Sequence, residues 1–226
     1  MPFPAHSAVL MSFFVTTAAA QDLNSPEKWE KSIQTFEQKI ASGESRPGSV
    51  LFIGSSSIRL WDLPKWFPRF RTVNHGFGGS ETSDSLHFFD RIVKPLKPSF
   101  VVLYAGDNDI AKQKTAEIVH RDFTAFATRV KADLPPETKL AYIAIKPSLK
   151  RWNLSPEMTK ANDLIARDCQ ADDRLEYVDI WTPMLGNDGK PRPELFAKDG
   201  LHLNENGYQL WTSIVIKVLP DRTSSE

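Results

Sequence analysis

Cysteine is nearly absent: the 226-residue chain has one, Cys169. A lone thiol excludes an internal disulfide framework and a cysteine-rich metal site. Its place in the helical pattern Leu164 to Cys169 makes it a small packing residue, not a nucleophile. An excess of either charge is absent too, since Lys plus Arg and Asp plus Glu both total 28. Without a basic face the chain has no electrostatic footprint for nucleic acid or an anionic membrane, so a neutral or small organic substrate suits it better than a polyanion. After residue 20 no apolar run approaches the length needed to cross a bilayer, which argues against stable membrane insertion. Repeats, low-complexity tracts and an interdomain linker are also missing. With 41% hydrophobic and 25% charged residues, the composition is that of one globular domain.

The first twenty residues read differently from the rest. Ala8 to Val15 is an apolar run of signal-peptide length, and Ala18 and Ala20 supply a small-x-small cleavage pattern before the polar segment opened by Gln21. A leader over residues 1–20, cleaved near Ala20, is therefore expected. The mature domain would span residues 21–226 and be secreted or periplasmic.

What the chain does have is regular alternation of strand-like and helix-like segments. Val50 to Ile53 is an apolar run that stops at Gly54 and three serines, Ser55, Ser56 and Ser57. A continuous run of this kind suits a strand covered on both faces. Further strands are expected at Phe70–Asn74, Pro98–Ala105, Leu140–Ile145 and Leu175–Ile180. Between and around them lie helical patterns at Asp22–Ser42, Ser80–Leu96, Thr115–Leu134, Ser155–Asp168 and Asn204–Leu219, with a long loop over Trp181–Lys198. In the first helix Trp29, Ile33, Phe36 and Ile40 form one apolar stripe. Right-handed βαβ units follow from this order, and hence a three-layer α/β/α sandwich on a central five-stranded parallel sheet, of the flavodoxin-like kind.

Four polar clusters stand at the ends of these elements: Gly54-Ser55-Ser56-Ser57, Gly78-Gly79-Ser80, Gly106-Asp107-Asn108-Asp109 and Asp199-Gly200-Leu201-His202. In a parallel sheet the first three converge on the carboxyl edge, where ligands bind, and the fourth reaches it from the loop before the last helix. A serine hydroxyl needs an imidazole to take its proton, and the imidazole needs an acceptor at its other nitrogen, a role that Asp199 can fill for His202. Backbone N–H groups at Ser56 and Gly79 and the side-chain amide of Asn108 would complete a set of oxyanion donors.

The blocks FIGSSSIRLW, NHGFGGSET, YAGDNDI and DGLHLNENG, in this order, resemble those of the SGNH hydrolases, also called GDSL lipases or esterases. The resemblance runs from about Val50 to the final helix. It implies Ser56 as nucleophile, Gly79 and Asn108 as oxyanion donors with Ser56, and Asp199 and His202 as the rest of a triad. Ser55 stands where the family usually has Asp. The reaction implied is ester hydrolysis through an acyl-enzyme and without a cofactor; the expected export and the lack of a lid-sized apolar insertion favour a short acyl or acetyl ester, on a small molecule or a carbohydrate, over long-chain lipid. A catalytically impaired binding member of the same fold, and a lysophospholipase or acyltransferase, are the alternatives that the same residues admit.

Other polar residues are read more plainly. His75, His87 and His120 are expected at the surface or in packing. Asp107 and Asp109 lack the further ligands of a metal site, and Asp109 is expected to cap or turn the chain. Lys146, Lys150, Arg151 and Trp152 form a basic, aromatic loop after the fourth strand, and Arg151 and Trp152, with Ser55, are candidates to touch substrate.

Overall fold

The computed structural model describes residue 1 and residues 25–220. The expected leader and its cleavage point, the Asp22 start of the first helix and the polar tail beyond residue 220 lie outside the described residues, except for residue 1. No described helix is long and apolar enough to cross a membrane.

Five strands, β1 (Val50–Gly54), β2 (Thr72–Gly76), β3 (Phe100–Tyr104), β4 (Lys139–Ile143) and β5 (Leu175–Val178), form one parallel sheet in the order β2-β1-β3-β4-β5. The helices are α1 (Glu30–Ala41), α2 (Ser56–Arg59), α3 (Leu63–Trp66), α4 (Thr82–His87), α5 (Phe89–Ile92), α6 (Asp107–Ala111), α7 (Ala116–Asp133), α8 (Ser155–Gln170) and α9 (Glu205–Val215). This is the doubly wound arrangement expected from the alternation of elements, and its order reverses between β1 and β3.

Strand periodicity divides the core into two layers. Leu51, Ile53, Val101, Leu103, Leu140 and Tyr142 face one side, where they pack with Ile33 of α1, Phe89 of α5, Phe123 and Phe126 of α7 and Ile165 of α8. Cys169 joins this layer as a buried thiol, and burial pushes its pKa up to about 12, so it is an inert packing group. Val50, Phe52, Val102, Ala141 and Ile143 face the other side, against α2, α3 and α9. That layer is aromatic. Trp61 sits edge-on to Phe52, Phe67 and Trp211 at 5.5, 5.3 and 5.6 Å between ring centres, and such pairs contribute about 0.5–1.5 kcal/mol each beyond their buried area.

Four segments depart from expectation. β2 begins two residues later than Phe70 and continues through His75 and Gly76, which pair with Ile53 and Gly54 of β1; position 76 must be glycine, since a Cβ there would lie 2.3 Å from the Arg59 backbone nitrogen. The expected Ser80–Leu96 helix is broken at Phe88 into α4 and α5 and then a 3-10 turn over Lys94–Leu96, where Pro95 has no N–H to continue an α-helix. Gly106-Asp107-Asn108-Asp109, read from sequence only as the polar end of a strand, opens the short helix α6. Within Trp181–Lys198 the chain makes two 3-10 turns, Thr182–Met184 and Pro193–Leu195, and an antiparallel bridge between Leu185 and Pro191.

Candidate active site

In a doubly wound sheet the ligand crevice is expected where the strand order reverses, here at the carboxyl ends of β1 and β3, and the backbone turns tightly there. Gly54 has φ +132°, and a Cβ there would meet the Tyr104 carbonyl oxygen at 1.9 Å, so only glycine lets β1 leave the sheet here. The Ser55 N–H then donates to that same carbonyl at 3.0 Å, and the Ser55 carbonyl accepts the N–H groups of Ile58 and Arg59. Ser56 is thereby placed as the first residue of α2, half-buried at the mouth of the crevice.

His202 meets it from the other end of the chain. Its Nε2 lies 3.1 Å from the Ser56 Oγ, and its Nδ1 lies 2.6 Å from the Asp199 Oδ2. The other Asp199 oxygen accepts the N–H groups of Leu201 and His202, both at 3.0 Å. The hydrogen bond from His202, reinforced by these two amides, holds the Asp199 carboxyl well below the usual carboxylate range. An ionised Asp199 fixes the proton on Nδ1, which leaves the Nε2 lone pair to accept the Ser56 hydroxyl. The loop carrying both residues is pinned by a Lys150 N–H to Gly200 carbonyl bond of 3.0 Å and an Ala197 N–H to His202 carbonyl bond of 2.8 Å.

Gly79 follows β2 with φ +77°, and nothing lies within 4 Å of where its Cβ would be. Its loop is fixed from three sides. The Phe77 N–H donates to the Gly54 carbonyl at 2.8 Å, the Trp29 indole donates to the Gly78 carbonyl at 2.9 Å, and the Thr82 N–H donates to both oxygens of Asp109 at 3.1 and 3.2 Å. Burial pushes Asp109 up to about 6, against the pull of Lys114. Asn108, on α6, donates from Nδ2 to the Ser80 carbonyl at 3.0 Å. Ser56, Gly79, Asn108, Asp199 and His202 thus meet at one sheet edge.

The remaining expectations fare differently. Ser55 is fully buried, and its hydroxyl has no hydrogen-bond partner among the described residues, so it lies beneath the crevice and out of substrate reach. Arg151 is not a free surface cation: it donates to the Asp107 carboxylate and carbonyl and to the Asn108 Oδ1. Trp152 is half-buried and stacks on Trp181 at 6.0 Å between ring centres. His75 is a packing residue, its ring stacked on Phe36 and its Nδ1 bonded to the Ile92 carbonyl, and burial lowers it to about 4.

Sequence reading placed Lys146 in a basic loop and Asp107 in a polar cluster but missed that the two are paired. Lys146 is 1% exposed, and its Nζ lies 2.9 Å from the Tyr104 hydroxyl, 3.0 Å from Asp107 and 3.3 Å from the Ser57 hydroxyl. Burial opposes ionisation of Asp107, but Lys146 and Arg151 outweigh it and hold the carboxyl below its ordinary value. The one available signal was a lysine placed directly after the wholly apolar run Leu140–Ile145 at the carboxyl edge. Among the described residues no group of three or more His, Cys, Asp or Glu could hold a metal ion.

A depression of about 580 Å³ opens nearby between Leu149, which packs against Gly200, and the 185–194 segment, with Asn187, Lys190, Arg192 and Glu194 in its walls. Its lining includes none of the five convergent residues.

The model of the GDSL-like Lipase/Acylhydrolase family matches residues 60–210, a span that holds Gly79, Asn108, Asp199 and His202 and begins just beyond Ser56. No curated protein matches. Solved structures similar to this chain include a Streptococcus pneumonia protein provisionally described as a platelet activating factor, at 22% identity and a TM-score of 0.76 over 84% of this chain and 92% of that one. A GDSL-like lipase from Bacteroides thetaiotaomicron matches at 21% identity and 0.67, over 82% of this chain and 95% of that one. A mutant acetyl-xylooligosaccharide esterase from Geobacillus Stearmophilus matches at 14% and 0.62, over 80% and 99%. At these identities the likeness is one of fold, whereas the family model covers most of the sequence: the chain belongs to the GDSL-like Lipase/Acylhydrolase family and is an ester hydrolase.

Proposed function

We propose that the chain hydrolyses short acyl or acetyl esters, carried on carbohydrate, through a Ser56-His202-Asp199 triad. The observation that carries this reading is the unbroken hydrogen-bonded line from the Ser56 Oγ through both ring nitrogens of His202 to Asp199. Ser56 attacks the ester carbonyl as its proton passes to Nε2 of His202. The oxyanion is held by the N–H groups of Ser56 and Gly79 and the free N–H of Asn108, and its collapse expels the alcohol with the proton from His202. Water, deprotonated by His202, then attacks the acyl-enzyme and releases the acid. No step calls for a cofactor. A carbohydrate carrier is supported by the half-buried Trp152–Trp181 stack beside Arg151, since paired indoles offer apolar faces to a sugar ring. The acetyl-xylooligosaccharide esterase among the structural neighbours supports the same reading. Export after cleavage near Ala20 belongs to this proposal, and N-terminal sequencing of the extracellular protein checks it.

The test is a chain-length series of p-nitrophenyl esters and acetylated xylooligosaccharides against wild type and Ser56→Ala, with fluorophosphonate labelling. Wild type is expected to label and to prefer acetyl. Ser56→Ala is expected to lose labelling and about 10⁴-fold or more of kcat. Persistent turnover by the variant overturns the triad, and ligand binding by an unlabelled wild type identifies a non-catalytic member.

A further inference from the structure

The Asn108 amide has three hydrogen-bonding positions that matter, and the structure occupies two of them. Its Oδ1 accepts from Nη2 of Arg151 at 3.1 Å, and one Nδ2 hydrogen goes to the Ser80 carbonyl at 3.0 Å. A guanidinium only donates and a carbonyl only accepts. Turned over, the amide would set donor against donor and oxygen against oxygen, so these two partners admit one orientation. The second N–H is left for the crevice.

Arg151 can impose this because it is itself held. Its Nη1 donates to both the carbonyl and the Oδ2 of Asp107, at 3.0 Å each, and that same Oδ2 accepts the buried Lys146 ammonium at 3.0 Å. Lys146 is aimed inward by the chain before it, where Asn162 clamps Ile145 by accepting its N–H at 2.8 Å and donating to its carbonyl at 3.0 Å. Two cationic side chains share one carboxylate, so the cluster carries net positive charge behind the amide that faces the oxyanion. A cation on the amide oxygen also draws electron density from the nitrogen, which strengthens its remaining N–H as a donor.

Resting on the triad reading above, we propose that Arg151, fixed by Asp107 and Lys146, is a positioning residue that orients and polarises the Asn108 amide for the transition state. It acts through Asn108 and not on substrate, so its loss falls on kcat and depends on Asn108 being present.

A double-mutant cycle tests this on the full chain, with p-nitrophenyl acetate as substrate and thermal unfolding measured in parallel. Arg151→Met is expected to lower kcat about 10- to 100-fold, somewhat less than loss of an oxyanion donor itself, with KM within about threefold. In an Asn108→Ala background the same change is expected to cost no more than about twofold, because its target is gone. Arg151→Gln, which keeps a neutral donor for Oδ1, is expected to fall between wild type and Met, and it replaces Met in the cycle if Met does not fold. Equal losses in both backgrounds, or a loss confined to KM, overturn the proposal. A Gln variant as active as wild type overturns the polarising part. The underlying reading fails separately: Asn108→Ala at full kcat, or an active Ser56→Ala, removes the oxyanion assignment or the triad itself.

Discussion

An arginine stands at each edge of the sheet, and the two are used in opposite ways. At the amino edge Arg174, just before β5, donates to the carbonyls of Val130, Lys131, Pro135 and Thr138, closing the end of α7 and the loop after it. All of its partners are backbone, and the arrangement ends there. At the carboxyl edge Arg151 donates to a carboxylate and to a side-chain amide that has an N–H to spare. One guanidinium satisfies groups left over by the helix, while the other leaves a group unsatisfied in a chosen direction. In a parallel sheet the helix-to-strand turns gather at the first edge and the strand-to-helix loops at the second, so stability and chemistry are separated along the strand axis.

The contrast predicts effects of different kind, and the largest should fall at the carboxyl edge. Asn108→Ala is expected to lower kcat about 10²- to 10³-fold, or about 2.7–4 kcal/mol in the barrier, with little change in Tm. A loss under tenfold breaks the functional side of the comparison. Asp109 sharpens it, since its job at that edge is structural. Its folded pKa of about 6 lies above the ordinary aspartate value of 3.8, so the unfolded chain gives up the proton first and stability falls as pH rises between the two values. Relative to Asp109→Asn, wild type should lose about 3 kcal/mol across that interval, from 1.36 kcal/mol per unit. Urea unfolding of both proteins at pH 4 and pH 7 measures the difference, and a gap that does not move with pH removes the assignment.

At the amino edge, Arg174→Met leaves several carbonyls without their donor and is expected to cost about 2 kcal/mol. For a chain of this size that is a Tm lower by about 4–8 °C. Below the transition kcat/KM should be unchanged, and a fall in turnover without unfolding would erase the distinction between the edges. The smallest effect is expected from Ser55→Ala. It removes a buried hydroxyl that has no hydrogen-bond partner among the described residues, so stability should hold or rise by up to about 1 kcal/mol, with fluorophosphonate labelling and activity retained. Loss of labelling would move the nucleophile from Ser56 to its neighbour.

The strands with unbroken apolar runs, β1 and β3, and the long α7 were legible because burial on both faces and 3.6-residue spacing leave strong patterns in the sequence. The Ser80–Leu96 stretch was not. Its apolar spacing is helical throughout, but the chain breaks at Phe88, whose ring sits edge-on to Phe77 at 6.0 Å, and turns again at Pro95. The convergence of Ser56, Gly79, Asn108, Asp199 and His202 could be read from order alone, since parallel strands bring their following loops to one edge. The pairing of Lys146 with Asp107, 39 residues apart, could not. A lysine after a strand looks solvated until the neighbouring loop is known to supply a buried carboxylate.

The Ser56–His202 contact joins residues 146 positions apart, the first from the turn after β1 and the second from just before α9. During synthesis the nucleophile is made first and waits for its base until 146 further residues have been translated. The last helix must also dock: the Tyr208 hydroxyl donates to the Ser57 carbonyl at 2.9 Å, and Trp211 packs on Trp61. A nascent chain that lacks His202 and α9 therefore holds its reactive serine unarmed. In a refolding experiment, the return of esterase activity requires α9 as well as the sheet to be in place.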